Sequence, residues 1–362
     1  MPAQLVIRLS EQIALSSHPE ERAVHQAVLA SYFARVGQFE EAEALRVELR
    51  RDFGDGRSLR VAVRLMCLEA LLLYFRDLSP MSRDRLARAS VLAKASRDPS
   101  LVALTSSWLA HVDFNLNKFE SMADALTECA SAAGPDDAEA ECRAAVVLGD
   151  ACMYVGERNR ARRWYERARQ RAIKIGDQAS IGALTYNPAA LHVASLRLRS
   201  LEEEVPAQEL TLAANEVRTA INYQIVAGLS SLDHLLHTAK VGILVLERRF
   251  AEVAKLGREV LENERIPSAS AQEYLLRADV AAGFGRSGRS ADCLGWIDQV
   301  PLDQVRGCEP DDQALILTSL SVAHESCAQT QVASQLRDRA IAALDEHRDR
   351  IARVQDILRR VW

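Results

Sequence analysis

Two histidines three residues apart could contribute to a zinc site. Asp233, His234 and His237 follow one another closely, and side chains three positions apart are neighbours on a helix. Zinc would need a third and a fourth ligand, and neither H-E-x-x-H nor C-x-x-C accompanies this pair. We therefore expect ordinary packing or surface histidines, and no metal.

A glycine-rich run could cradle a phosphate group. Gly283, Gly285 and Gly288 spell G-x-G-x-x-G, but a dinucleotide site needs a strand before this run, and here the run ends a helical segment. We predict a close-packed turn between helices. No arrangement of Ser, His and Asp suggests a nucleophile with its base, so we expect no catalytic residues, no cofactor and no enzyme.

The strongest local charge feature is a basic segment. Residues 158–174 contain seven arginines and one lysine, against the single acidic residue Glu166. Helical spacing places five cations on one face, called here the arginine stripe: Arg160, Arg163, Arg167, Arg171 and Lys174. The opposite face carries the small and aromatic residues Ala161, Tyr165, Ala168 and Ala172. The stripe could bind phosphates or an acidic protein, since arginine contacts both in bidentate fashion; alternatively it is a solvated outer face.

The composition shows which elements must position these groups. Of 362 residues only 16 are Gly and 10 are Pro, 5% are aromatic and 48% are apolar. This mixture predicts a nearly all-helical protein and argues against β-rich, disordered, collagenous and membrane classes. The net charge of −5 excludes the global basic footprint of a dedicated nucleic-acid binder.

Cysteine usage and the N-terminus indicate a compartment. The seven cysteines are odd in number and include no C-x-x-C, which argues against a disulfide framework and favours a reducing cytoplasm. Arg8 and Glu11 interrupt the apolar residues at the N-terminus, so we expect no signal peptide. The sequence contains no run of about 18 apolar residues, so we expect no membrane-spanning helix.

Helix-breaking residues recur at regular intervals. They fall about every 20 residues, and between them apolar residues recur at steps of three and four, as in amphipathic helices. Pairing the breaks gives a period of about 40 residues, with hairpin tips near 38, 79, 118, 157, 201, 249, 289 and 330. The chain from 1 to 330 is therefore predicted to be one α-solenoid of about eight antiparallel helix pairs.

One segment resembles a tetratricopeptide repeat. The matching positions are Leu148, Gly149, Cys152, Gly156, Ala161, Tyr165 and Ala168. Gly149 and Ala161 would let the paired helices approach closely, while Leu148 and Tyr165 fill the space between them. Weaker copies lie elsewhere, including around Phe33, Phe119 and Phe284. The resemblance implies a right-handed superhelix, and the longer period is similar to that of the helical sensor regions of bacterial regulators.

The resemblance also implies where partners bind. In this family the first helix of each pair lines the concave face, and its non-packing positions contact the ligand. Carried over to this chain, those positions are Arg64, Tyr74, His111, Asn115, Arg143, Asp150, Tyr154, Tyr186 and Asn187. Such side chains can hold the backbone or the carboxylate of an extended peptide. Pro188 follows this set and either begins a helix or kinks one.

The C-terminal segment 331–362 contains no breaker. Its apolar stripe from Ile351 to Val361 continues beyond what one hairpin needs. We predict either a cap on the last hairpin or a docking helix, with a homodimer as one possible outcome.

These observations together predict a cytoplasmic, non-enzymatic bacterial scaffold or sensor that binds a protein or peptide on its concave face. The alternative is a nucleic-acid-linked or defence-type accessory subunit that uses the arginine stripe; nucleic acid is possible but not favoured. Salt dependence separates the two, because phosphate contacts weaken steeply with salt.

Overall fold

The computed structural model describes residues 4–231, 233–264 and 266–361. Across these ranges the chain is helical and contains no strand. In chain order the helices are α1 (Gln4–Leu15), α2 (Pro19–Val36), α3 (Phe39–Phe53), α4 (Leu59–Asp77), α5 (Met81–Ser96), α6 (Pro99–Asn115), α7 (Phe119–Ala132), α8 (Ala138–Tyr154), α9 (Arg158–Ile175), α10 (Gln178–Arg199), α11 (Ala207–Ala227), α12 (Asp233–Leu246), α13 (Phe250–Asn263), α14 (Ala271–Arg286), α15 (Ser290–Ile297), α16 (Leu302–Val305), α17 (Pro310–Ser326) and α18 (Thr330–Val361). The prediction of an all-helical chain is confirmed.

The breaks between helices fall at or next to all eight predicted hairpin tips. Seven of these turns contain a residue with positive φ, at Gly37, Leu78, Asn117, Gly156, Arg248, Gly288 and Ala328. A left-handed residue after a helix satisfies the last carbonyl groups of that helix. The turns therefore share one backbone conformation although only three of them have glycine at the left-handed position.

Helices α8 and α9 pack closely through a glycine. A Cβ atom at Gly149 would lie 2.5 Å from the Tyr165 ring, so only glycine lets this aromatic side chain reach the α8 backbone. Ala161 is fully buried and Leu148 almost so. The Tyr165 hydroxyl donates a hydrogen bond to Asp150 Oδ1 at 2.8 Å, which fixes the ring in place.

Two compact units divide the chain. Unit 1 comprises residues 1–185, 223–232 and 354–362, and unit 2 comprises residues 186–222 and 233–353. Each unit buries apolar side chains of its own, for example Leu68 and Trp108 in unit 1, and Ile316 and Leu336 in unit 2. This division differs from the predicted one, a solenoid over 1–330 followed by a separate helix.

Each unit also contains a buried Arg–Asp–Ser cluster. In unit 1 the Arg35 guanidinium donates to both carboxylate oxygens of Asp177, the longer contact being 2.6 Å, and Ser180 donates to the same carboxylate. In unit 2 Arg197 donates to Asp279 at 2.7 and 2.9 Å, and Ser319 donates to Asp279.

The end of the C-terminal segment, residues 354–361, packs within unit 1. Its side chains Val354, Ile357 and Leu358 are buried. The Gln355 side chain donates to the Val155 carbonyl at 3.2 Å, and Arg360 pairs with Glu120 at 2.9 Å. These three apolar side chains are therefore covered within unit 1, and a homodimer through this helix stays a prediction.

Two further features bear on the sequence predictions. Pro188 lies inside α10 instead of at a helix start; residues 186 and 187 are thus helical. No helix in the described part of the chain is long and apolar enough to cross a membrane.

Candidate functional site

Three of the predicted partner-binding residues meet around one tryptophan of unit 1. Tyr74 lies near the end of α4, Trp108 and His111 lie on α6, and Arg143 lies on α8. The His111 ring is 5.2 Å from the Tyr74 ring and 5.6 Å from the Trp108 ring, both edge-on. The Arg143 guanidinium lies 4.0 Å from the centre of the Trp108 ring. We call Tyr74, Trp108, His111 and Arg143 the inner cluster.

Arg143 is a buried cation without a polar partner. Its exposed fraction is 4%, and it forms no hydrogen bond or ion pair with any residue that the structure describes; its Nε is fully enclosed. Burial, and then the positive charge of Arg35, lower the pKa of Arg143 to about 10. The guanidinium therefore remains charged at neutral pH, because the face of Trp108 and the negative charges of Asp177 and Asp150 favour the charged form.

His111 supplies a second unsatisfied group. Its Nδ1 is buried and lacks a hydrogen-bond partner among the described residues. Burial, with the charges of Arg143 and Arg35, lowers the pKa of His111 well below its usual value. The ring is thus neutral at pH 7 and presents one donor and one acceptor nitrogen.

Arg35 is the structural counterpart of Arg143. It also lies against Trp108, at 5.7 Å from the ring centre, but the carboxylate of Asp177 neutralises it. Although burial alone would raise the pKa of Asp177, the Arg35 charge and its hydrogen bonds hold that pKa below the usual value. Sequence reasoning missed this pair because 142 residues separate its members.

Four other predicted positions contact neighbouring residues in the fold. Arg64 pairs with Glu139 at 2.9 Å, and the Asn115 amide donates to the His111 carbonyl one turn earlier. Asp150 is buried and accepts the Tyr165 hydroxyl. Tyr154 stacks on Phe119 with ring centres 5.3 Å apart. The structure thus gives these four side chains packing roles.

Tyr186 and Asn187 belong to a different unit from the inner cluster. Both are half-buried residues of α10 and belong to unit 2. The inner cluster belongs entirely to unit 1. The predicted set of nine is therefore divided between the two units.

The arginine stripe lies opposite the buried residues of α9, and its first member, Arg160, is half-buried, pairs with Glu157 at 3.1 Å and donates to the Leu358 carbonyl. The predicted packing residues Ala161, Tyr165, Ala168 and Ala172 are all buried. Glu141 neutralises part of the stripe, since it lies 2.6 Å from Arg171 and 3.6 Å from Arg167. Arg163 and Lys174 are exposed and form no ion pair with any described residue.

Residues of the predicted histidine pair and of the glycine-rich run contact neighbouring helices or side chains. His237 pairs with Glu264 at 2.6 Å, while His234 is buried on the same helix. No group of three or more potential metal ligands occurs in the ranges that the structure covers. A Cβ at Gly283 would lie 2.8 Å from the Phe250 carbonyl oxygen, so this glycine serves close packing of α14 on α13.

Comparison with protein-family models and with curated proteins finds no match for this chain.

Proposed function

We propose that this protein is a non-enzymatic binding module of the tetratricopeptide type. In this proposal about eight helix pairs stack as a right-handed superhelix, and the first helices of the pairs hold a peptide segment or a protein. The regular turns and the close contact of Gly149 with Tyr165 support the repeat assignment. A role as the sensor of a bacterial regulatory system agrees with the long repeat period.

The observation that carries the proposal is the unpaired charge of Arg143. Removing a guanidinium from water costs several kcal/mol unless a counter-charge or hydrogen bonds replace the water. Trp108 recovers a part of that cost, on the order of 2 kcal/mol for a desolvated contact. The remaining deficit is satisfied when a ligand brings an oxygen acceptor to the inner cluster.

The chemistry of the inner cluster suits a peptide. Arg143 can donate to a carboxylate or to a backbone carbonyl, and neutral His111 can either donate or accept. Tyr74 and Trp108 add stiff amphipathic surface, which is typical of binding hot spots. None of these groups is arranged as a nucleophile with an adjacent base, so binding is the function that the cluster supports best.

Comparative capture tests the proposal. The wild-type protein and the Arg143→Met variant are immobilised and exposed to an extract of the cells that produce the protein, and bound proteins are identified by mass spectrometry. We expect a partner that the wild type retains and Arg143→Met loses, with only shallow dependence on salt. Equal retention by both proteins, each shown to be folded, would contradict a role for the inner cluster.

The matched control is Arg64→Met. Arg64 was predicted from the same resemblance, but its guanidinium is already paired with Glu139. We expect this variant to retain the partner.

A further inference from the structure

A small apolar cavity adjoins the arginine stripe on the outer side of unit 1. Its volume is about 120 Å³, and it lies between α7, α8 and α9. The side chains that matter here are Leu126, Ala130, Ala133, Ala144, Trp164 and Arg167. We call this cavity the α9 notch.

The α9 notch has the shape and chemistry to hold one side chain. Ala130, Ala133 and Ala144 leave room because each ends at Cβ, and Leu126 provides a buried base. Trp164 is half-buried and forms one wall. The volume matches a single aliphatic side chain, and the lining offers such a side chain apolar contact on several sides.

Basic side chains lie beside the α9 notch on the face of α9 that carries the arginine stripe. Arg167 lines the notch itself, and Arg163 lies one turn away on the same face of α9. Arg163 and Lys174 are exposed and without ion pairs to described residues, while Glu141 is already engaged by Arg171. Within the lining Arg167 is paired with Glu141, so the positive charge that a ligand segment meets without a carboxylate partner is that of Arg163 and Lys174 beside the notch.

We infer that the α9 notch and the arginine stripe together form a docking surface for an acidic protein segment that inserts one aliphatic side chain. Charge complementarity selects the acidic residues, and the notch selects the anchor. This surface is separate from the inner cluster, so it adds a second site to the proposed function and does not depend on it.

The observations favour a protein segment over nucleic acid. A notch whose lining includes four alanines and two leucines favours an aliphatic side chain, whereas nucleic-acid sites present flat aromatic platforms on which bases stack.

Synthetic probes test the inference directly. The first probe is a fluorescein-labelled peptide with one leucine flanked on each side by five glutamates; in the second, serine replaces the leucine. The third is an oligothymidylate of the same length. Binding to the full chain is measured by fluorescence anisotropy at low and at physiological salt. We expect the leucine peptide to bind at least about tenfold more tightly than the serine peptide, as burial of one leucine implies.

Substitutions locate the binding. Ala130→Leu fills the α9 notch from an exposed helix position and should remove the preference for the leucine peptide. Ser131→Leu adds the same side chain next to it, outside the notch lining, and should leave the preference intact. Arg163→Gln combined with Lys174→Gln should weaken both peptides and flatten their salt dependence; these exposed positions tolerate the change without unfolding.

Three results would overturn the inference. Equal affinity for the leucine and serine peptides would show that the notch takes no anchor. Tighter binding of the oligothymidylate than of either peptide would assign the surface to nucleic acid. Failure of the leucine peptide to bind at low salt would leave the stripe as a solvated face.

Discussion

The guanidinium of Arg143 lies over the ring of Trp108, 4.0 Å from its centre, and forms no salt bridge with a described residue. On the same tryptophan, 5.7 Å from the ring centre, lies Arg35, whose charge Asp177 compensates through two hydrogen bonds. Two buried arginines thus share one aromatic side chain but differ in pairing. We interpret Arg35 as a residue that stabilises the fold and Arg143 as a residue that binds a ligand.

The contact of Gly149 with Tyr165 predicts that no larger side chain fits at position 149 of α8 without displacing the Tyr165 ring. Gly149→Ala places a Cβ about 2.5 Å from the ring carbons of Tyr165, so the ring must move. We expect a loss of about 1–3 kcal/mol in the free energy of unfolding, as for other overpacked cores. Chemical denaturation of the two proteins measures the difference.

Gly295 in α15 is the matched control for this substitution. A Cβ there meets nothing within 4 Å, and alanine is the better helix former by up to about 1 kcal/mol. Gly295→Ala should therefore leave the stability unchanged or raise it. A similar loss for both variants would show that Gly149 acts through backbone conformation instead of packing.

His111 predicts an acid-sensitive contribution to stability. Burial, reinforced by Arg143 and Arg35, lowers its pKa in the folded state, whereas an unfolded histidine titrates near 6.5. Below that pH the unfolded chain takes up a proton that the folded ring refuses, so stability is full above about pH 6.5 and falls with pH. One pH unit below 6.5 the cost is about 1.4 kcal/mol.

The measurement compares wild type with His111→Leu, because other histidines also titrate in this range. Unfolding free energies are determined at several pH values between about 7.5 and 5.5. We expect the free energy of unfolding of the variant to rise relative to that of the wild type as the pH falls. A difference that stays constant with pH would mean that His111 takes up its proton alike in the folded and the unfolded chain.

The packing of the C-terminal segment predicts the effect of its removal. Truncation after residue 353 deletes the buried side chains Val354, Ile357 and Leu358 and exposes the surfaces that they cover. We expect a lower melting temperature and an unchanged oligomeric mass by light scattering. Arg359→Gln, at an exposed position of the same segment, should change neither. A fall in oligomeric mass with an unchanged melting temperature would instead support a homodimer contact through the C-terminal segment.

The positions of the turns were predictable because helix breaks recur with a constant period. Leu78, Arg248 and Ala328 adopt the left-handed conformation without being glycine, so the turn conformation itself could not be inferred at those sites. The spacing of residues along the sequence also does not show which residues far apart in the chain form pairs. The Arg35–Asp177 pair and the packing of residues 354–361 within unit 1 depend on tertiary contacts, and no sequence pattern predicts either.

The inner cluster was predictable only in part. The tetratricopeptide resemblance placed Tyr74, His111 and Arg143 on the first helices of their pairs, and the structure brings them together. The same resemblance also predicted Asp150 and Asn115 as partner-binding positions. In the structure Asp150 accepts a hydrogen bond from Tyr165, and Asn115 donates one to the preceding turn of its own helix. Whether a polar side chain is satisfied depends on its neighbours in space, which a repeat register does not reveal.

The central claim, that Arg143 serves a ligand and not the fold, is tested most directly by the unfolding free energy of Arg143→Met beside that of Arg35→Met. Arg35→Met leaves Asp177 buried without its counter-charge, so we predict a loss of about 3–5 kcal/mol. Arg143→Met removes an unpaired buried charge and keeps an apolar side chain on Trp108, so we predict a free energy equal to or above that of the wild type. A loss for Arg143→Met as large as that for Arg35→Met would contradict the claim, because it would show that the Arg143 charge stabilises the folded chain.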